Sequence, residues 1–177
     1  AGEGQAAGGR VDREDGPVAL ILSRQKLPVV ERGEGACAAV EGVERGGYVL
    51  WQSAGAAAAG PDLVLLASGS EVALALEAAR RLDGEGRAVR VVSMPCLELF
   101  AAQPQAYRDQ VLPPAVRARL AVEAGLPLSW WRLVGDGGDV VGVETFGASA
   151  PGDRVFAEYG FTVDAVVARA SALLGRG

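Results

Sequence analysis

The chain contains no histidine. Histidine is the commonest general acid–base group and metal ligand near neutral pH. A Ser-His-Asp triad, a Cys-His pair and a histidine-based metal site are therefore excluded. Asparagine is absent too. The two cysteines, Cys37 and Cys96, are too few for a disulfide framework or a four-cysteine zinc site. No apolar run approaches the roughly 20 residues that span a bilayer. The first residues are Gly-rich and polar, without the apolar core of a signal peptide, so a cytosolic (cytoplasmic) location is the simplest reading. Basic residues are scattered, apart from short pairs such as Arg80-Arg81, and 17 of them face 22 acidic ones for a net charge of −5. Without a basic stripe the chain is a poor ligand for nucleic acid and for anionic membranes. It begins at Ala1 rather than Met, which reads as the mark of a processed or partial product.

What is present is a core. Half of the 177 residues are hydrophobic, enough for one well-buried domain with some extra chain. Residues 1–16 are Gly, Ala and charge, a solvent-exposed lead-in. The run Pro17-Val18-Ala19-Leu20-Ile21-Leu22 predicts a strand buried on both faces. It ends in the polar Ser23-Arg24-Gln25, where open α/β sheets place ligands. Pro28 and several glycines make residues 26–46 an extended linker and the boundary between two modules.

Beyond it, strand and helix patterns alternate. Tyr48–Trp51, Asp62–Ala67, Ala88–Met94, Arg119–Glu123 and Asp139–Val143 predict strands. Glu71–Leu82 predicts a helix with Ser70 as N-cap and Val72, Ala75, Leu76 and Ala79 on one face. Shorter helical stretches fall at Leu97–Ala101 and Pro104–Val111. Val163, Val166, Val167, Ala170, Leu173 and Leu174 recur at helical spacing behind Thr162 as N-cap. This alternation predicts an α/β fold: a mostly parallel sheet in three layers, with helices on both faces.

Few motifs offer chemistry. Gly135-Asp136-Gly137-Gly138 has the start of a diphosphate-metal motif, in which an Asp and a later Asn hold Mg²⁺ through oxygen. With no Asn available, a Gly-rich turn is the better reading. Gly69-Ser70-Glu71 opens a helix after a strand, an anion-friendly place, but it lacks a glycine series and its Glu repels phosphate; capping is favoured. Glu71, Glu123 and Glu144 could each serve as acid or base, yet nothing in their spacing pairs them. Cys37 and Cys96 lack a histidine partner and read as non-catalytic. Trp130, Trp131 and Phe161 read as core or interface packing. Arg24 could bind a phosphate bidentately; from the residues alone, pairing with a local carboxylate is the better reading.

Taken in order, several segments resemble the transketolase family. Leu22-Ser23-Arg24-Gln25 with Leu27-Pro28 resembles the exit from its pyrimidine-binding domain, and Gly46-Gly47-Tyr48-Val49-Leu50 the start of its C-terminal domain. The likeness continues through Ala67–Val72, Val91–Pro95, Tyr107-Arg108, Val111–Pro113, Val122–Gly125 and Thr145–Gly147. Ser149–Pro151 and Tyr159–Val163 complete it. The resemblance implies an enzyme that uses thiamine diphosphate and Mg²⁺ to move a two-carbon ketol unit between sugar phosphates, at the interface of a homodimer. It implies that residues 1–25 hold the lead-in and last strand of the pyrimidine-binding domain, 26–46 a linker and 47–177 the C-terminal domain. It further implies that Arg24 binds the substrate phosphate. The catalytic histidines, the cofactor-activating Glu and the metal ligands belong upstream, so no catalytic, cofactor-binding or metal-binding residue is expected here.

Three readings follow. The first is a C-terminal piece of a transketolase, inactive alone. The second is a non-catalytic assembly domain, such as the C-terminal half of a split transketolase completed by a separate N-terminal polypeptide. The third is a small-ligand regulatory module built on Gly69-Ser70-Glu71.

Overall fold

The computed structural model describes residues 17, 19, 21–23, 26–33, 37–38 and 40–175. Five strands form one sheet in the order β1-β3-β2-β4-β5. They are β1 (Tyr48–Gln52), β2 (Leu63–Ala67), β3 (Val89–Ser93), β4 (Arg119–Val122) and β5 (Asp139–Val141). β2, β3, β4 and β5 run parallel, and β1 pairs antiparallel with β3 at one edge. The α/β class expected from the alternation is the one observed.

The residue types explain the layering. Every residue of β2 is buried, because this central strand is covered on both faces. On one face lie α2 (Glu71–Gly84) and α7 (Val163–Leu174). Val72, Ala75, Leu76 and Ala79 of α2 and Val166, Val167, Ala170 and Leu173 of α7 meet Leu63, Leu65, Val89 and Leu120 there. On the other face lie α3 (Leu97–Ala101), α4 (Gln105–Val111) and α5 (Trp131–Val134). Phe100, Val111, Trp130 and Val134 pack there on Val64, Leu66, Val92 and Ala121. Trp130 is core, whereas Trp131 is partly exposed. Each fully buried Leu, Val or Phe contributes roughly 1.5–3 kcal/mol by leaving water.

Three short helices carry no periodic signal in the sequence: α1 (Ala54–Ala59), α5 and α6 (Gly152–Glu158). α1 starts on a serine that does two jobs. Buried Ser53 accepts from the Ala56 N–H at 3.2 Å and from the Val89 N–H at 3.1 Å, capping the helix and tying it to β3. Ser53→Ala leaves two buried donors unpaired and should cost about 1–3 kcal/mol. Urea unfolding measures it through a lower midpoint at unchanged slope.

Two stretches take a form other than the expected one among the described residues. Pro17, Ala19, Ile21 and Leu22 are irregular and exposed, Ile21 at 92%; Val18 and Leu20 lie outside the described residues. A strand buried on both faces needs paired neighbours and covering layers, and this sheet offers it neither. The stretch expected to be an extended linker is partly built into the domain. Residues Val40–Arg45 form a 3-10 helix, and Cys37 sits in the core, its N–H donating to Glu31 O at 3.1 Å. Burial pushes the Cys37 thiol up, which keeps it protonated and inert. At the end of this stretch Gly46 (φ +77°) and Gly47 lie against α3: a Cβ on Gly46 would stand 2.4 Å from Cys96 O. Only glycine fits so close an approach at positive φ.

Candidate functional site

The chain runs from β2 outward to β3, then crosses back to β4 on the opposite side. Such a reversal opens a crevice beyond the C-terminal ends of β2 and β4, the place where open α/β sheets bind ligands. Here the crevice is lined by Ser68, Ser70 and Glu71 after β2 and by Glu123 and Ala124 after β4.

These residues are locked together. The Ser68 hydroxyl donates to Glu123 Oε2 at 3.0 Å, across the crevice. The Ser70 hydroxyl donates to Glu71 Oε1 at 2.6 Å, and the Ala124 N–H donates to the same carboxylate. Glu71 is only 4% exposed. Burial holds its carboxyl above the usual carboxylate range; the Ser70 hydroxyl opposes that shift, and nearby Glu123 adds to it. Ser70 stands at the N-cap position of α2, but its backbone is helical and its side chain makes no capping bond. The hydroxyl is used by Glu71 instead. Thr162 does cap α7 as expected, accepting from the Ala165 N–H at 3.2 Å.

Spacing in the sequence does not pair Glu71, Glu123 and Glu144. The fold brings the first two together and leaves Glu144 exposed. Glu123 ends the expected strand Arg119–Glu123 and Glu71 opens the helix expected after Asp62–Ala67, so only the strand order was missing. Two carboxylates do not suit a phosphate. Among the described residues no group of three or more His, Cys, Asp or Glu side chains is placed to hold a metal ion. The crevice is built as a brace between two strand ends.

That brace has a pH signature. Because Glu71 binds its proton more tightly folded than unfolded, stability falls as pH rises from the ordinary carboxylate range through the folded value. Glu71→Gln removes the titration. Relative to wild type, the variant should gain melting temperature between about pH 4 and pH 7, read by differential scanning calorimetry at both values. A constant offset would contradict the assignment.

Arg24 lies outside the described residues. Gly135-Asp136-Gly137-Gly138 is a tight turn between α5 and β5, closed by the Gly138 N–H on Gly135 O at 3.1 Å. A Cβ on Gly138 would stand 2.6 Å from Arg119 O, so packing alone demands glycine there. Cys96 is partly exposed, with its sulfur 3.6 Å from Glu98 Oε2.

A short open sheet with helices on both faces and a braced crevice at its switch point defines an open α/β domain. Comparisons with known proteins give its family. Residues 46–162 match the family model described as the transketolase-like C-terminal domain. Over 166 residues the chain is 50% identical to the transketolase of Geobacillus stearothermophilus, an alignment covering 94% of this chain and 24% of that one. The structure of a Pichia stipitis transketolase in complex with sedoheptulose-7-phosphate aligns with a TM-score of 0.74 and 32% identity, over 86% of this chain and 21% of that one. A split-gene transketolase described as an inactive β4 tetramer aligns with a TM-score of 0.61 and 25% identity, over 86% of this chain and 48% of that one. The chain belongs to the transketolase family. It spans about a quarter of the length of the curated relative it matches. Among the described residues no helix is long and apolar enough to cross a membrane.

Proposed function

We propose that this chain is the C-terminal part of a transketolase that transfers a two-carbon ketol unit between sugar phosphates, and that alone it is inactive. The observation that carries the reading is the mismatch of coverage: nearly all of this chain aligns with about a quarter of a transketolase. In this reading residues 1–25 hold the last strand of the pyrimidine-binding domain, 26–46 lead out of it and 47–177 form the C-terminal domain. Exposed Ile21 and Leu22 suit a strand that awaits its own sheet.

The residues present do not fit thiamine diphosphate or Mg²⁺. The sequence has no His or Asn, the carboxylates of the switch-point crevice repel a diphosphate, and among the described residues no group of three or more His, Cys, Asp or Glu is placed to hold a metal ion. On this reading both groups are held by the other domains of the complete enzyme. Arg24 is this chain's contribution to the chemistry, as the guanidinium that takes the substrate phosphate. The complete enzyme works as a homodimer in the cytoplasm on this reading. Leu126, Leu128 and Phe146, the last 97% exposed, lie past the C-terminal ends of β4 and β5 and are assigned to contact with the preceding domains of the same polypeptide.

Titration calorimetry of the isolated chain with thiamine diphosphate and Mg²⁺ tests the reading. No heat of binding is expected. Tight, Mg²⁺-dependent binding would overturn it.

The split-gene relative favours a second reading, in which the chain is one half of a two-polypeptide enzyme. Size exclusion with a separately made N-terminal half separates the two: a stable complex that regains ketol transfer supports the split form.

A further inference from the structure

A cleft of about 680 Å³ opens on the helical layer formed by α3, α4 and α5, a volume typical of small-molecule sites. It lies toward the N-terminal end of β4, where Arg119 stands, and away from the crevice holding Glu71 and Glu123. Its apolar lining comes from Leu97, Phe100 and Leu133.

Its charges are unevenly satisfied. Asp109 is held by Gln105, whose amide donates to Asp109 Oδ1 at 2.7 Å, and lies near Arg119. Arg119 spends its guanidinium on backbone carbonyls. Arg108 donates only to neutral groups, Ala101 O and the Gln105 side chain, and its buried Nε–H has no acceptor. Arg132, exposed at the rim, has neither a hydrogen bond nor an ion pair among the described residues. Two guanidinium groups without a carboxylate partner thus line the cleft; with Arg119 they outnumber its two carboxylates, Asp109 and Glu98.

We propose that this cleft binds a small phosphate monoester, with Arg132 and Arg108 taking the phosphate and the apolar lining and the Asp109 carboxylate taking the carbon body and its hydroxyls. A planar guanidinium suits phosphate oxygens bidentately. Gln105 is exposed, so it can swing away and free Arg108 Nη2 for the ligand.

Glycerol 3-phosphate is the probe and glycerol the control, each added to the isotope-labelled chain at roughly 5 mM, where a millimolar site is mostly filled. Amide shifts are followed by NMR in wild type and in Arg132→Glu, a change at an exposed position that leaves the fold intact. Saturable shifts clustered in residues 97–133 with glycerol 3-phosphate but not glycerol, weakened at least about tenfold by Arg132→Glu, are expected. No saturable shift, equal shifts with glycerol, or unchanged binding in Arg132→Glu would overturn the proposal.

Discussion

Replacing Arg24 by alanine in a complete transketolase carrying this domain should lower kcat/KM for a phosphorylated donor by about 10–100-fold. The figure follows from losing a charge-assisted contact worth roughly 1.5–3 kcal/mol. If the phosphate is held equally in the ground and transition states, most of the loss falls on KM and little on kcat. An unphosphorylated donor offers no oxyanion to the guanidinium, so its kcat/KM should barely change. Arg24→Lys should recover part of the affinity, because an ammonium keeps the charge but not the fork. A collapse in kcat at unchanged KM, or an equal loss with both donors, would remove Arg24 from the phosphate site.

The second large effect concerns stability. Arg119 begins β4 and holds the loop ahead of it and the end of α5 together. Its Nε donates to Val116 O at 2.9 Å, Nη1 to Leu133 O at 2.8 Å, and Nη2 to Pro113 O at 2.9 Å and Leu112 O at 3.3 Å. Burial pulls its pKa down, partly offset by Asp109, yet it stays charged at any ordinary pH. Arg119→Met keeps the apolar stem and strands these carbonyls. Two left unsatisfied at about 1–3 kcal/mol each give a loss of roughly 2–6 kcal/mol, or a melting temperature lower by roughly 4–24 °C. Arg119→Lys should recover less than half, since one ammonium cannot span four acceptors set apart in space. A shift under about 2 °C in Arg119→Met would show that water replaces the guanidinium without cost.

The fold was largely legible where local pattern and burial agree. The continuous apolar run at Leu63–Ala67 announced a strand covered on both faces, and the helical recurrence from Val163 to Leu174 announced α7. The alanines of α1 carry no contrast between faces, so periodicity could not find that helix. Arg132 sits in a four-residue helix too short to show a pattern.

The site was less legible because it depends on strand order. Glu71 and Glu123 are far apart in the chain and meet only because β4 pairs with β2. Ser70 shows the same limit: its type and place predict a cap, but the neighbouring buried carboxylate competes for the hydroxyl and takes it. Cys37 was hidden by the Gly-rich, charged stretch around it, and its burial comes from pairing with the domain's own edge: the Ala38 N–H donates to Leu50 O at 2.7 Å. Pro17–Leu22 reads as a strand in isolation, yet Ile21 and Leu22 are exposed here, because the partners such a strand needs are not part of this sheet.

The proposal that the chain is inactive alone is tested most directly by one assay. Ketol transfer between sugar phosphates is measured with thiamine diphosphate and Mg²⁺ present, for this chain alone and for the same chain fused behind the diphosphate- and pyrimidine-binding domains of a transketolase. The prediction is no turnover above background from the chain alone and turnover from the fusion. Turnover by the isolated chain would contradict the account.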